Sequence, residues 1–534
     1  MSDTAKRGVP VQFCFLTGGT KPQDVVNLAE FLDTAIEPFL TSEEKLARSG
    51  REITDDYDWE AAFAEVRAQE NSTEQTPDTP ADPTPAEADL PEPPDTAPLG
   101  ATDTEKPADD TAETDDTAES TPTDAPPSQP VRKILVPIAP GVDPERARQT
   151  LRSRLNGPLP AKTDLIMQTS GSQTGNGHLV AISASALVSS ARSTLAALGG
   201  PGRWILALPT QHVAGLQVLT RSLISGTKPV IVDTTSGFKP ASLARAVERA
   251  TQDSTLPVYL SLVPTQVSKI LDQGGDAVAA LAKVHTILVG GAAFTPFLAD
   301  RAKAVGWHVV ETYGMTETCG GCVYDGIPLL GTQVSTVGDT VWITGTSLME
   351  GYVEKPPAGV DSVEASPWIQ MGPRRWFKTS DTGRMEGPRL IIQGRTDDVI
   401  NTGGVKVHAS AVEQAALSVT GVGEVCVVGL PDARWGELVT AVVVPGDDLD
   451  VDLLAPMLGS PASLGIYGGN EAGEPDSLAA RIRTAVTAEL GAAHAPRVVV
   501  VVQHLPTLGP GKVARHEVGE LAKRELRAGR AWVR

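Results

Sequence analysis

The chain has 534 residues, of which 41% are hydrophobic, and a formal net charge of −21. That length predicts two to four domains, and the sequence has no basic stripe of the kind that binds DNA or RNA. No apolar run approaches the ~20 residues that a membrane span needs, and residues 1–10 lack the apolar core of a signal peptide. We therefore expect a cytoplasmic protein with no nucleic-acid partner and no membrane insertion, and its oligomeric state stays open.

The amino-terminal quarter of the chain divides into an arm and a linker. Within residues 1–70, apolar side chains at helical spacing predict a helix over 22–40, in an arm packed on the main body. Residues 71–130 contain 13 prolines, 16 acidic residues, one lysine and no aromatic residue. Such a segment cannot bury enough apolar surface to offset its chain entropy. We expect an acidic, Pro/Thr-rich disordered linker, which carries −15 of the net charge.

Residues 131–395 predict the large domain, because short apolar runs alternate there with Ala-rich helical stretches. This alternation indicates βαβ units and a mainly parallel sheet. The expected strands are 133–138, 204–208, 229–232, 258–262, 285–289 and 308–310, and the expected helices include 181–198 and 240–250. From about residue 338 the pattern predicts a β-rich subdomain, with strands 339–344, 376–379 and 390–393.

Residues 396–534 predict a small, mobile α+β domain at the carboxyl end. Its expected strands are 424–429, 440–444 and 497–502, its expected helix lies near 478–490, and residues 459–477 are expected to form a surface loop. The predicted fold class is therefore α/β, with a large amino-terminal domain of mainly parallel sheets plus a β-rich subdomain, followed by this small domain.

The run Tyr313-Gly314-Met315-Thr316-Glu317-Thr318 is the most informative motif. It follows the apolar residues 307–310, so we expect it on a turn after a strand, where α/β folds bind their ligands. An aromatic ring can stack on a purine, hydroxyls can hold a phosphate, and a carboxylate can hold Mg²⁺. The nearby pair Cys319 and Cys322 has redox or metal spacing, but without a second Cys or His pair we interpret it as part of a tight loop.

Three other motifs suit a nucleotide and an anion. Residues 169–175 are rich in Ser, Thr and Gly, so their backbone N–H groups can surround phosphates, although the P-loop lysine is absent. Gly290-Gly291-Ala292 forms a glycine turn that a flat base can approach. Residues 208–215 contain His212, and Arg221 beyond them can pair with a carboxylate.

Three later motifs add carboxylates and cations. Asp381, and Arg395 in the segment 394–398, provide an acceptor and a donor for a ribose. Residues 403–406 and 509–515 each hold a lysine in a Gly-rich loop, a cation suited to a phosphate undergoing transfer. Each motif is weak alone, but the order and spacing of the whole set are specific.

As an ordered set over about residues 163–520, these motifs resemble the adenylate-forming superfamily of acyl-CoA synthetases, adenylation domains and luciferases. Within it, residues 208–215, Arg221-Ser222 and residues 313–326 are most similar to the o-succinylbenzoate–CoA ligases of menaquinone biosynthesis, in their short actinobacterial form. The substrate rests on this resemblance alone.

The resemblance implies a role for each matching residue. The expected ATP- and AMP-binding residues are Ser170, Gly171, Ser172, Thr174, Gly175, Gly291, Ala292, Tyr313, Asp381 and Arg395. The expected catalytic residues are Lys512, Thr316, Glu317 and His212, with Glu317 holding Mg²⁺. The residues expected beside the acid are His212, Arg221 and Gly314, with Arg221 facing the carboxylate that does not react. The expected hinge is Asp397, and the residues expected at the CoA channel are Gly404 and Lys406.

The implied reaction uses ATP, CoA and Mg²⁺ to convert 2-succinylbenzoate, through an acyl-adenylate, into 2-succinylbenzoyl-CoA and AMP. A CoA ligase for another aromatic or dicarboxylic acid is the alternative within the superfamily. A non-catalytic binding protein with the same fold is the alternative from another class.

The phosphate loop departs from the family pattern at one position. The family loop usually ends in Thr-Gly-x-Pro-Lys, whereas this chain has Thr174-Gly175-Asn176-Gly177-His178 with Gln173 inserted. A neutral histidine offers less charge to a pyrophosphate than lysine does. Backbone N–H donors are expected to make most of the contacts to the phosphates. We therefore expect the enzyme to be active, with a higher Michaelis constant for ATP.

Overall fold

The computed structural model of the protein describes residues 11–41, 44–45, 131–169, 177–252, 255–355, 366–446, 477–508 and 512–534. The predicted linker 71–130, most of the predicted loop 459–477 and the phosphate-loop residues 170–175 lie outside these ranges. The helices are α1 (Pro22–Ile36), α2 (Pro144–Arg154), α3 (Ala184–Ala197), α4 (Val213–Ile224), α5 (Pro240–Gln252), α6 (Pro264–Gln273), α7 (Asp276–Leu281), α8 (Pro296–Ala304), α9 (Ala409–Leu417), α10 (Leu478–Leu490) and α11 (Arg515–Arg527).

The strands fall into three groups along the chain. The first group is β1 (Val11–Thr17), β2 (Arg132–Ile138), β3 (Leu165–Gln168), β4 (Leu179–Ile182), β5 (Arg203–Leu206), β6 (Val230–Ile231), β7 (Val258–Leu262), β8 (Thr286–Gly290), β9 (Val309–Met315), β10 (Gly320–Tyr324) and β11 (Ile327–Pro328). The second group is β12 (Thr332–Val337), β13 (Thr340–Gly345), β14 (Gly351–Tyr352), β15 (Trp368–Met371), β16 (Arg374–Glu386) and β17 (Arg389–Arg395). The third group is β18 (Val399–Thr402), β19 (Val405–His408), β20 (Val422–Asp432), β21 (Gly436–Pro445), β22 (Val498–Val501), β23 (Thr507–Leu508), β24 (Lys512–Val513) and β25 (Trp532–Val533).

The amino-terminal arm is built into the first sheet of the large domain, whose strand order is β1-β2-β3-β4-β14. Strand β1 pairs in parallel with β2, with Val11 opposite Arg132 and Thr17 opposite Ile138. Helix α1 follows β1 and packs against α3 and α4. Its buried residues Val25, Leu28, Leu32 and Ile36 recur at helical spacing, so one apolar face of the arm completes the core.

The second sheet has seven strands in the order β11-β10-β9-β8-β7-β5-β6. The pairs of β5 with β6 and β7, of β7 with β8, and of β8 with β9 are parallel, which confirms the parallel sheet that the alternating pattern predicts. One core lies between this sheet and the first sheet around α3 and α4, and a second lies under α5 to α8. Parallel sheets are usually covered on both faces in this way.

Two predicted boundaries in this region are wrong. The predicted helix 181–198 begins only at Ala184, where Ser183 accepts a hydrogen bond from the Ala186 N–H at the helix start; residues 179–182 form β4 instead. The predicted strand 308–310 extends to Met315. Tyr313 and Gly314 therefore lie in the last part of a strand rather than on a turn, because β10 returns from Gly320 and pairs with them.

Most of the remaining strands form the two later units, and β23 pairs with β24 in a separate two-stranded sheet. The β-rich unit has the order β12-β13-β16-β15, with β17 paired to β16, and its pairs are antiparallel. The carboxyl-terminal unit has the order β19-β18-β21-β22-β25, with β20 paired to β21. Helices α9 and α10 pack on this sheet around Val412 and Ile482, and α11 packs on it around Val518.

Candidate functional site

The carboxyl ends of β8 and β9 lie side by side, with Gly290 opposite Thr312. A Cβ on Gly290 would lie 2.2 Å from the Thr312 Oγ1 atom, so only glycine fits there. Gly291 has φ of +82°, and it and Ala292 are exposed. These two residues therefore present open backbone next to the strand that carries Tyr313, a surface suited to a flat base.

Tyr313, Asp381 and Arg395 form one connected group. The Tyr313 hydroxyl donates to the Asp381 carboxylate over 2.7 Å, and burial together with Asp381 raises the pKa of Tyr313. Asp381 and Arg395 are paired neighbours on β16 and β17, with 3.9 Å between the Arg395 guanidinium and the carboxylate. Antiparallel pairing thus brings together a ring, an acceptor and a donor that are far apart in sequence.

Glu317 lies in the short 3₁₀ turn after β9, next to Thr316, and its residue is only 8% exposed. The Tyr352 hydroxyl, from β14, donates to the Glu317 carboxylate over 2.8 Å. Burial raises the pKa of Glu317, because a desolvated carboxylate is stabilised less by water. A cation beside this carboxylate would offset that penalty.

His178 contacts the same group of residues from the end of the phosphate loop. Its Nδ1 atom lies 2.5 Å from the Glu354 carboxylate, and its ring lies 4.6 Å from the Tyr352 ring, centroid to centroid. The hydrogen bond with Glu354 raises the pKa of His178 above its ordinary value. The carboxylate partner therefore favours the protonated, positively charged form of the His178 ring over the neutral form that the sequence alone predicts.

His212 and Arg221 belong to the turn and helix after β5. His212 is the residue before the first turn of α4, and Arg221 lies nine residues further, roughly 13 Å along the helix axis. The backbone positions of these two residues are therefore well separated along the helix.

Arg221 is a buried cation, only 4% exposed. Its guanidinium lies 4.9 Å from the centre of the Trp204 ring, and its Nε–H has no hydrogen-bond partner within the described ranges. Burial lowers the pKa of Arg221. Burying a charge costs free energy unless it is paired, so this position is suited to an anion.

The expected hinge lies at the exposed turn after β17. Arg395 contacts the Asp397 carboxylate over 3.2 Å. The next residue, Asp398, lies 3.1 Å from Arg515, which also makes a two-pronged ion pair with Glu413. These contacts join the hinge to the segment that begins at β24.

The expected CoA and lysine positions lie in two hairpins. Gly403 and Gly404 have φ of +58° and +81° and connect β18 to β19, a two-residue turn that requires positive φ at both positions. Gly404 and Lys406 are exposed. Lys512 is the first residue of β24 and pairs with Leu508, but its side chain lies outside the described part of the chain.

The last expected residue, Gly314, lies near the two cysteines Cys319 and Cys322. Gly314 lies where a Cβ would come within 2.1 Å of the Gly320 carbonyl oxygen, so it allows β9 and β10 to approach closely. Cys319 and Cys322 are free and buried. Burial raises the pKa of both thiols, that of Cys322 to about 12. Neither sulfur is a ready nucleophile near neutral pH.

Among the described residues, no group of three or more His, Cys, Asp or Glu side chains is arranged to hold a metal ion. Every helix in the described ranges is too short or too polar to cross a membrane.

The model of the AMP-binding enzyme family matches residues 56–359, and the model of the AMP-binding enzyme C-terminal domain matches residues 411–512. The chain belongs to the AMP-binding enzyme family. Its large and small domains form the adenylate-forming enzyme fold, and membership of the adenylate-forming acyl-CoA ligase superfamily supports an acid–thiol ligase.

Three relatives illustrate the range of this AMP-binding enzyme's similarities. A probable 2-succinylbenzoate–CoA ligase from Mycobacterium tuberculosis is 38% identical over 355 residues, covering 66% of this chain and 82% of the relative. A feruloyl-CoA synthase from an Amycolatopsis species is 28% identical, covering 60% of this chain and 62% of the relative. Among solved structures, o-succinylbenzoate CoA synthetase from Bacillus subtilis, bound to the acyl-adenylate OSB-AMP, aligns with a TM-score of 0.51 at 22% identity, covering 73% of this chain and 74% of that chain.

Three residues that contact the site in this AMP-binding enzyme were not predicted from its sequence. Tyr352, Glu354 and Trp204 contact expected site residues, yet none belongs to a glycine-rich loop or a charged motif. Gly351-Tyr352 is a strand of two residues, too short to produce a periodic pattern. Tyr352 contacts Glu317 across more than 30 residues of sequence, and Glu354 contacts His178 across more than 170. Local sequence patterns do not reveal contacts between residues so far apart.

Proposed function

We propose that this enzyme activates 2-succinylbenzoate with ATP and transfers the acyl group to CoA, giving 2-succinylbenzoyl-CoA and AMP. The observation that carries the proposal is the buried guanidinium of Arg221, whose Nε–H has no partner among the described residues. A carboxylate that does not react would compensate this buried charge. The similarity to the probable 2-succinylbenzoate–CoA ligase supports the choice of acid.

In the first half-reaction, a carboxylate oxygen of the acid attacks the α-phosphorus of ATP and pyrophosphate leaves. Tyr313 and the open backbone at Gly291 and Ala292 would hold the adenine, and Asp381 with Arg395 would hold the ribose. Thr316 would contact the α-phosphate, and residues 170–175 would surround the other phosphates. Lys512 would neutralise the charge that develops between the carboxylate and the α-phosphate.

Glu317 fits a Mg²⁺ ion that is shared with the nucleotide. Mg²⁺ is usually bound through one or two carboxylates, with substrate phosphates and water as its other ligands, and Glu317 offers one buried carboxylate oriented by Tyr352. When bound, Mg²⁺ neutralises charge on the phosphate oxygens. Tyr352 would keep the carboxylate turned toward that position.

In the second half-reaction, the CoA thiol attacks the acyl carbon and AMP leaves with the electrons of the acyl–phosphate bond. Lys512 would have to move away, and rotation at Asp397 would bring Gly404 and Lys406 to the CoA. Because Arg515 joins Asp398 to the segment after Lys512, rotation at Asp397 would move that segment together with the small domain. Such hinged closure separates two steps in time.

The test of the acid is ATP–pyrophosphate exchange over a panel of carboxylic acids. The panel includes 2-succinylbenzoate, benzoate, succinate and ferulate, each at several concentrations. We expect 2-succinylbenzoate to give the highest kcat/KM. A preference for ferulate would favour the alternative that the feruloyl-CoA synthase relative suggests, and a preference for any other acid would also contradict the assignment.

The test of Arg221 compares two of its variants. Arg221→Ala is expected to raise the KM for 2-succinylbenzoate about a hundredfold and to spare the KM for ATP, because a buried charge pair is lost. Arg221→Lys keeps the charge but not the bidentate geometry, so an intermediate effect is expected. An unchanged KM for the acid in Arg221→Ala would remove Arg221 from this role.

A non-catalytic binding protein is the remaining alternative. Formation of acyl-CoA by the wild-type chain, and its loss in Lys512→Ala, would exclude it. Binding of ATP without any acyl-CoA product over the whole panel would support it.

A further inference from the structure

Residues 18–20 of the amino-terminal arm lie against the turn that carries His212. They follow β1 directly, and their side of the first sheet is the carboxyl end of the parallel pair β1 and β2. The carbonyl oxygen of Gly19 accepts two hydrogen bonds from Thr210, one from its N–H over 3.1 Å and one from its Oγ1 over 3.0 Å. Both Thr20 and Thr210 are buried.

The contact at Gly18 leaves no room for a side chain. A Cβ on Gly18 would lie 2.6 Å from the Gln211 backbone nitrogen and 2.6 Å from the Gln211 Cβ. Separations below 3 Å force atoms to shift, and here one of them is backbone. The arm therefore fixes the position of Gln211, the residue before His212.

A third contact ties the arm to the next strand end of the second sheet. The Thr20 hydroxyl lies 2.9 Å from the Thr234 hydroxyl and accepts a hydrogen bond from the Thr234 N–H over 2.7 Å. Thr210 follows β5 and Thr234 follows β6, which are parallel neighbours. The short segment 18–20 thus connects two adjacent strand ends on the ligand-binding side of the sheet.

We infer that Gly18, Gly19 and Thr20 are positioning residues for the acid: they set the place of the His212 turn and of the first turn of α4. The inference rests on the proposed function in taking His212 to lie beside the acid. His212 N–H donates to the Pro209 carbonyl oxygen over 3.2 Å, so a displaced Thr210 or Gln211 displaces the whole turn. Misplacing a group by about 1 Å can cost about a hundredfold in rate.

The experiment compares Gly18→Ala, Thr20→Val and Thr20→Ser in the full chain. Gly18→Ala is expected to raise the KM for the best acid of the panel about tenfold, since a shifted contact is weakened rather than lost, and to leave the KM for ATP unchanged. Thr20→Val should act in the same direction, and Thr20→Ser, which keeps the hydroxyl, should restore wild-type values. The control is Gly519→Ala in α11, where a Cβ meets no atom within 4 Å.

Hydrogen exchange at the Thr210 amide gives a second measurement that needs no substrate. This amide is expected to exchange faster in Gly18→Ala and Thr20→Val than in the wild type and in Gly519→Ala. If the wild type activates no acid, the proposed function fails, and the exchange rate alone decides on the arm. If Gly18→Ala does not fold, the Thr20→Val and Thr20→Ser pair decides.

An equal rise in both KM values, an unchanged KM for the acid, or unchanged Thr210 exchange would overturn the inference. A change that merely destabilises the fold lowers the amount of active enzyme, and so it cannot separate the two KM values. Recovery in Thr20→Ser would attribute the effect to the hydroxyl.

Discussion

At the scale of single residues, two tyrosines orient the two carboxylates of the proposed nucleotide site. Tyr313 donates to Asp381, and Tyr352 donates to Glu317. Hydrogen bonds to ionised acceptors are stronger than neutral ones, and more so away from water. The carboxylates are thus held in place before any ligand binds.

Removing the Tyr352 hydroxyl tests this orientation. A hydrogen bond to a charged group is worth about 1.5–3 kcal/mol, so Tyr352→Phe is expected to slow adenylation at least about tenfold and to raise the Mg²⁺ concentration needed for half-maximal rate. The ring and its contact with His178 are kept. Transfer of a preformed acyl-adenylate to CoA should stay near the wild-type rate, and a similar loss in both half-reactions would contradict the role.

The ion pair of His178 and Glu354 predicts a pH dependence. Glu354 raises the pKa of His178 above 6.5. Burial acts to raise the pKa of Glu354, but the hydrogen bonds from His178 and the Leu179 amide bring it below 4.5. The contribution of this ion pair to the free energy of unfolding is therefore fully present between pH 4.5 and 6.5. It is lost as pH rises through the raised pKa of His178 or falls through the lowered pKa of Glu354.

A histidine titration followed by NMR measures this pair directly. In Glu354→Gln the pKa of His178 is expected to fall back toward its ordinary value, because the ring loses its negative partner. Glu520→Gln, which changes a carboxylate on α11, should leave the titration unchanged. An identical His178 pKa in wild type and Glu354→Gln would contradict the assignment.

At the scale of whole elements, the arm is held by a buried ion pair. Arg192 on α3 contacts Glu44 through Nε over 2.8 Å and through a terminal nitrogen over 2.6 Å, and both side chains are 0% exposed. Glu44 also accepts from the Thr41 N–H over 2.8 Å, and Arg192 donates to the Phe39 carbonyl oxygen over 2.8 Å. These contacts join the last turn after α1 to a helix at the centre of the core.

Neutralising Glu44 is expected to destabilise the large domain strongly. Breaking one side of a buried ion pair costs about 3–5 kcal/mol, so Glu44→Gln should lower the midpoint of urea denaturation followed by tryptophan fluorescence. The matched surface change Glu520→Gln affects an exposed pair with Lys523 and should leave the midpoint unchanged. Equal midpoints for the two variants would show that the buried pair adds little.

At the scale of the whole molecule, the arm and the rest of the large domain are joined by a long acidic connection. Strand β1 and strand β2 are parallel neighbours, although more than 100 residues separate them. Removing 71–130 would leave residues 46–70, and 25 residues can span up to about 80 Å when extended. The shortened chain can therefore still reach β2.

Deletion of residues 71–130 is expected to leave turnover nearly unchanged. The deletion also changes the formal net charge from −21 to −6, so association with ATP and CoA, both anions, should become less sensitive to salt. Steady-state kinetics at low and high salt measure both effects. Loss of activity in the deleted chain would contradict our interpretation of the segment as a linker.

Local sequence patterns predicted some of these features and not others. The parallel sheet followed from alternating apolar runs, and the set Tyr313, Asp381 and Arg395 was implied by the resemblance of the ordered motifs to the adenylate-forming superfamily. Gly18 against Gln211, and His178 against Glu354, depend on how distant strands align, and nothing in a short run of residues specifies that alignment. The extension of β9 to Met315 was missed for the same reason, because its partner strand β10 comes later in the chain.

Arg395 has a thermodynamic consequence for the reaction cycle. Its guanidinium contacts Asp381, the proposed ribose acceptor, and Asp397, the proposed hinge. With these proposed roles, a nucleotide that engages the Arg395 guanidinium would compete with Asp397 for its donors, so AMP occupancy and the orientation of the small domain would be linked. Linkage is reciprocal: whichever orientation AMP favours must also bind AMP more tightly. The equilibrium affinity for AMP and the equilibrium between the two domain orientations would then report a single coupling free energy.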